Sequence, residues 1–116
     1  MNRGILIRVV LLGTFLIWSV IARAELVWSG NLGVSEIITV DNGGFLIGFT
    51  APVDPACTQW STKHLYVYPG EQGLTLDVIP SYLALGLSAL TTGAEVKAHY
   101  DNATPLCHVK YLQITR

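Results

Sequence analysis

The feature that most constrains the fold is a change of hydrophobic period across one short turn. Residues 78–92, "VIPSYLALGLSALTT", carry no charge and place Ile79, Leu83, Leu87 and Leu90 at spacings of four, four and three, which is one stripe of an α-helix. Residues 94–100, "AEVKAHY", alternate instead at every second position, with Ala94, Val96, Ala98 and Tyr100 on one face and Glu95, Lys97 and His99 on the other. Between them Gly93 is the residue expected to turn left-handed just past a helix end. At the front of the helix Asp77 is the expected N-cap, and Pro80 falls in the first turn, where a missing N–H costs nothing. One helix must therefore run directly into a strand.

The rest of the chain reads as strands and turns. "LGVSEIITV" (32–40) puts Leu32, Val34, Ile38 and Val40 on one face of a strand, with Glu36 as the exception. "DNGG" (41–44) supplies residues that tolerate positive φ, as a tight hairpin needs, and Phe45, Ile47 and Phe49 then alternate inward. Pro52 and Pro55 make 51–61 a loop, because proline cannot donate to a sheet ladder. Residues 63–69 form a third strand closed by "PGEQG", and "LTLD" (74–77) is a short strand end or an approach to the helix. "DNATP" (101–105) is a turn, and 106–115 is a last strand, bulged near Lys110 and Tyr111 where its alternation changes phase. The order is β-β-β-α-β-β. The expected fold is mainly β with one helix, a small OB-fold-like Greek-key barrel, with a four- or five-stranded sheet crossed by one helix as the alternative.

The N-terminus bounds the compartment. Arg3 and Arg8 precede an apolar run from Val9 to Ala22, and Ala22-Arg23-Ala24 has small residues at both ends. These are the parts of a secretory signal peptide over residues 1–24, cleaved after Ala24; an uncleaved anchor is the competing reading. Residues 25–116 then form a single domain, exported to the periplasm or secreted, with no membrane span after cleavage. That segment holds four basic and eight acidic residues, a formal charge of −4, so nucleic acid is not an expected partner. In an oxidising compartment Cys57 and Cys107, the chain's two cysteines, are expected to form one disulfide.

The stretch "LALGLSALTTGAEVKAHYDNATPLCHVKYLQIT" resembles the C-terminal part of the B subunits of five-membered bacterial toxin rings, of the cholera, pertussis and subtilase-cytotoxin types. In those proteins a helix leads through a Thr/Gly-containing turn into a strand patterned like "EVKAHY", then a polar turn and a final apolar strand. The same ending resembles that of many small secreted bacterial proteins. The resemblance covers the last third of the chain and implies an OB-fold, export and oligomeric assembly. No N-terminal helix of the cholera type precedes Trp28, a Cys57–Cys107 pair differs from that type's disulfide, and no sugar-contacting residue carries over.

No catalytic signature is present: the carboxylates are scattered, and no nucleophile elbow, phosphate-cradling loop or pair of zinc histidines occurs. The chain is expected not to be an enzyme, and neither a cofactor nor a metal site is expected. His64, His99 and His108 lie on different elements without ligand spacing and read as exposed strand residues. A sugar site needs an aromatic face beside amides, hydroxyls or charges, and "CTQWSTKH" (57–64) has that composition. Gln59, Trp60, Lys63 and His64 are the candidate ligand residues, against the alternative that Trp60 plugs the barrel over the disulfide. Trp28 reads as an edge or assembly residue. Ala84, Gly86 and Ser88 make a small, uncharged second helix face, expected to meet a neighbouring copy or a protein partner. Two functions follow: a binding module for a glycan or other small ligand, or a structural or protein-interaction accessory, such as an envelope subunit or inhibitor, docking through that helix face.

Overall fold

Turn chemistry sets the first hairpin. In the computed structural model, which describes residues 26–115, Gly43 takes φ 90° and the Asn42 side-chain oxygen accepts from the Gly44 amide at 2.8 Å. The Val40 amide then donates to the Gly44 carbonyl, closing the turn. The expected signal peptide, residues 1–24, lies outside the described residues.

The elements are β1 (Leu26–Trp28), β2 (Leu32–Thr39), β3 (Phe45–Phe49), β4 (His64–Val67), a 3-10 turn (Leu76–Val78), helix α1 (Ile79–Thr92), β5 (Glu95–Asp101) and β6 (Val109–Thr115). The described residues are mainly β with one α-helix, and they hold one strand more than the sequence suggests, β1. Trp28 lies in that strand. β1 and β2 follow the same edge of β5, Leu26 opposite Asp101 and Leu32 opposite Val96. The break between them is bridged by Ser29, whose amide donates to the Ala98 carbonyl at 2.8 Å and whose hydroxyl accepts from the Ala98 amide at 2.9 Å. Ladder bonding therefore continues through the interruption.

β2 pairs with β3 and β3 with β4, while β6 takes the other edge of β5, all antiparallel. The sheet curls into a half-barrel. At its far side Tyr66 of β4 makes a parallel bridge to His108, and its amide donates to the Cys107 carbonyl. The expected Cys57–Cys107 disulfide is present beside this bridge.

The core follows the alternation of β3 and β5. Phe45, Ile47 and Phe49 meet Leu65 and Val67 of β4 and Val96, Ala98 and Tyr100 of β5. β2 departs from its expected phase. A bulge between Val34 and Glu36 sets two residues against one, so Ile37 packs on the core in place of Ile38, and Glu36 belongs regularly to the opposite face. In β6 the expected bulge leaves Lys110 between the Tyr111 and Val109 pairings, and the Tyr82 hydroxyl donates to the Lys110 carbonyl at 2.7 Å, pinning α1 there.

The helix is turned about its axis from the expected orientation. Ile79, Gly86 and Ala89 are its buried residues, whereas Leu87 and Leu90, expected inside, are 44% and 39% exposed. A Cβ at Gly86 would stand 3.1 Å from Ile37 Cδ1 and 3.6 Å from Ile47 Cδ1. The small residues let the helix backbone lie close on β2 and β3, and that approach turns the leucines outward. Gly86 is thus no part of the outward face to which the sequence assigned it with Ala84 and Ser88, both of which are exposed. Asp77 is not the N-cap either: Val78 occupies that position without a side-chain cap, and the Asp77 carboxylate takes the Thr75 hydroxyl. At the C-terminus Gly93 has φ 76° and its amide donates to the Ala89 carbonyl, as expected.

Candidate functional site

Two rows of side chains cross the face of β2, β3 and β4 that points away from the core. The pairings Glu36–Gly48–His64 form one row and Ile38–Leu46–Tyr66 the next. Gly48 makes the first row what it is. A Cβ there would fall 2.7 Å from Glu36 Cγ and 2.8 Å from His64 Nε2, so only its absence lets those side chains meet over the central strand. His64 Nε2 lies 2.5 Å from Glu36 Oε1, and His64 Nδ1 lies 2.6 Å from Ser61 Oγ. The Lys63 amide donates to the same Ser61 oxygen at 3.1 Å.

The loop that presents these residues is tied at several points. Cys57 fixes it to Cys107, and the Val53 amide donates to the Thr62 carbonyl at 2.8 Å. Asp54 accepts from the Ala56 amide, the Tyr100 hydroxyl and the Asn102 side-chain amide. Burial alone would raise the Asp54 carboxyl, but these three donors together outweigh it and hold the group below the usual carboxylate range. Burial, with the Asp54 hydrogen bond and charge, pushes the Tyr100 phenol up and keeps it protonated as the donor.

Below the second row lies a cleft of about 340 Å³, lined by Ile38, Leu46, Gln59, Trp60, Tyr66 and Tyr68 among others. Trp60 is 62% exposed and stands edge-on to His64, ring centroids 6.4 Å apart. It is therefore not a buried plug over the disulfide. Tyr66, Tyr68 and His108 pack together with centroids 5.2–6.0 Å apart. Burial raises both phenols, helped by Tyr68 at Tyr66 and by Asp41 at Tyr68, so both keep their hydroxyl donors. Burial also lowers the His108 imidazole, a shift that Glu71, 3.7 Å away, and Asp101 oppose.

Of the four ligand residues expected from sequence, Gln59 and Trp60 meet at the cleft. Lys63 is exposed and does not line it. His64 is not an exposed strand residue: it is buried, and both its nitrogens are engaged. His99 is half-buried and sandwiched between Trp28, at 4.6 Å, and Tyr111, at 5.8 Å, on the outer face of β5. Among the described residues no group of three or more His, Cys, Asp and Glu converges as metal ligands, and no helix is long and apolar enough to cross a membrane. A larger groove, about 950 Å³ around Gly33, Thr50, Gly93 and Glu95, is lined by no aromatic side chain and by none of the candidate residues.

Sequence reading missed Ser61 and Glu36 as partners of His64. Glu36 lies 28 residues from the histidine and no spacing links them. The one available signal is Gly48, an isolated glycine inside an apolar strand, which marks a place where something must approach closely. No known family model matches the chain, and no curated protein matches it.

Proposed function

We propose that the protein is an exported binding module that takes a glycan in the cleft beside Trp60. The observation that carries this reading is the exposed indole lining one cleft with Tyr66, Tyr68 and Gln59: an apolar face for a sugar ring beside residues that carry polar groups. The Cys57–Cys107 disulfide supports an oxidising compartment. Trp60→Ala should abolish binding on a glycan array, cutting affinity by more than about tenfold, without lowering the melting temperature, because the side chain is exposed. Wild-type protein that binds no glycan, or a variant that binds equally well, would defeat the assignment.

For the fold behind this function we favour an OB-fold-like Greek-key barrel. Its support is the order of pairings, with β1 and β2 acting as one interrupted strand, the helix between β4 and β5, and the parallel Tyr66–His108 bridge closing β4 onto the start of β6. This is also the fold implied by the resemblance to toxin B subunits.

A second reading, docking to a neighbouring copy or to a protein partner, is favoured by one observation. The outward face of α1 carries Leu87, Leu90, Ala84 and Ser88 exposed and uncharged. Light scattering of the mature chain separates the two: a pentameric mass that falls to a monomer in Leu87→Glu/Leu90→Glu supports ring assembly, and a wild-type monomer in the absence of other proteins removes it.

A further inference from the structure

The row Ser61–His64–Glu36 has the bonding of a proton relay. The Glu36 carboxylate can only accept, so the proton on the His64 side of their contact is on Nε2, which donates to Glu36 Oε1 at 2.5 Å. In the neutral imidazole Nδ1 is then the acceptor, and the Ser61 O–H donates to it at 2.6 Å while the Lys63 amide donates to the Ser61 oxygen at 3.1 Å. This tautomer satisfies every group in the row. It is also the arrangement of a hydroxyl nucleophile beside a base that a third group orients, and such arrangements are recognised by geometry and role rather than by sequence order.

Three features separate the row from an ordinary turn hydrogen bond. His64 is buried, and its ring is held at both nitrogens, by Ser61 on one side and Glu36 on the other. Gly48 keeps the space over β3 open for that carboxylate, on a strand where every other residue contributes a side chain. Ser61 itself is half-buried, so its hydroxyl is not sealed from solvent, and Trp60, its neighbour in sequence, is exposed and edge-on to His64.

We propose that Ser61 is an activated nucleophile and that this face performs acyl transfer on a small ester. Ser61 Oγ bonds to the ester carbonyl carbon while its proton passes to His64 Nδ1. The carbon–oxygen bond of the ester then breaks, and the alcohol leaves with the proton from Nδ1. Water attacks the acyl-serine, giving its proton to Nδ1, and the acid departs as that proton returns to Ser61 Oγ. Ester and water become acid and alcohol, with no oxidant or cofactor needed. Glu36 acts through His64 as a positioning residue. The proposal goes beyond glycan binding and does not rest on it, since the one depends on Ser61 and the other on Trp60.

The test is covalent labelling of the disulfide-intact chain with an alkyl fluorophosphonate, read by intact mass and peptide mapping. One adduct, on Ser61, is expected, and none in Ser61→Ala. His64→Ala should slow labelling by about 100-fold, the scale of a general base, with partial recovery on adding imidazole. Glu36→Gln, which loses the charge and can donate to Nε2 and so reverse the tautomer, should slow it at least as much as His64→Ala does, and Glu36→Asp should recover part of that loss. Wild-type protein that takes up no label overturns the proposal without reference to any variant. So does labelling at Ser61 that proceeds equally fast in His64→Ala, or equal loss in both Glu36 variants.

Discussion

At the scale of single residues, two glycines carry side-chain space rather than backbone freedom, and they differ in what surrounds them. A methyl at Gly86 would meet the mobile end of Ile37, which can rotate aside, and alanine gains about 1 kcal/mol of helix propensity over glycine. A methyl at Gly48 would meet Glu36 Cγ at 2.7 Å and His64 Nε2 at 2.8 Å, two groups already bonded to each other. Gly48→Ala must therefore part the bond between buried His64 and half-exposed Glu36, at a cost of about 1–3 kcal/mol for the unpaired imidazole, whereas Gly86→Ala should cost less than 1 kcal/mol. Urea denaturation checks both values. The mechanism has its own signature: in a Glu36→Ala background the Gly48→Ala cost should shrink, because neighbours that share one interaction are not additive. An undiminished cost would place the strain elsewhere.

Among the elements, α1 divides what sequence could tell from what it could not. Its existence, its stop at Gly93 and the alternation of β5 beyond it rest on local period and turn chemistry, so they were legible, as were the 41–44 hairpin and the β6 bulge. Its orientation was not. A count of leucines favours Leu87 and Leu90 inward, but Gly86 and Ala89 permit a closer approach to Ile37 and Ile47, and the packing follows the closer approach. The same limit applies to β2, where one bulge moves Glu36 onto the face it shares with His64. Gln59 and Trp60 were readable as a composition within one loop, while the Glu36–His64 contact depends on a strand register that no local pattern encodes. The orientation of α1 is open to a direct check. Leu87→Lys should change stability by less than about 0.5 kcal/mol, as at other surface positions, while Ala89→Lys should cost several-fold more by burying an unpaired charge. Thermal melts that rank the two the other way would restore the leucine stripe to the core.

For the molecule as a whole, the region around the disulfide couples stability to pH. The Cys57–Cys107 link closes a separation of 50 residues, worth on the order of 4 kcal/mol by chain-entropy arithmetic, and it joins the 51–61 loop to the start of β6. Two shifted groups flank it. Asp54 binds the loop to Tyr100 and Asn102, and His108 packs against Tyr66 and Tyr68. Both are held below their ordinary values, the carboxyl by its donors against the opposing effect of burial, and the imidazole by burial against Glu71 and Asp101. The sign is the same for each: the unfolded chain takes up the proton at higher pH than the folded one, so acid favours unfolding. Stability should therefore be full above pH 6.5, fall first as the pH drops below that ordinary histidine value, and fall again below 3.8, the ordinary value for the aspartate. Melting temperatures measured from about pH 8 to about pH 3 follow the two steps. His108→Gln should remove the first and leave the second. Asp54→Asn should remove the second and also lower stability at neutral pH, because an amide cannot replace a carboxylate as acceptor for all three donors. A wild-type profile flat down to pH 4 would mean that His108 is as easily protonated in the fold as outside it, and that the aromatic packing around it excludes less water than its burial implies.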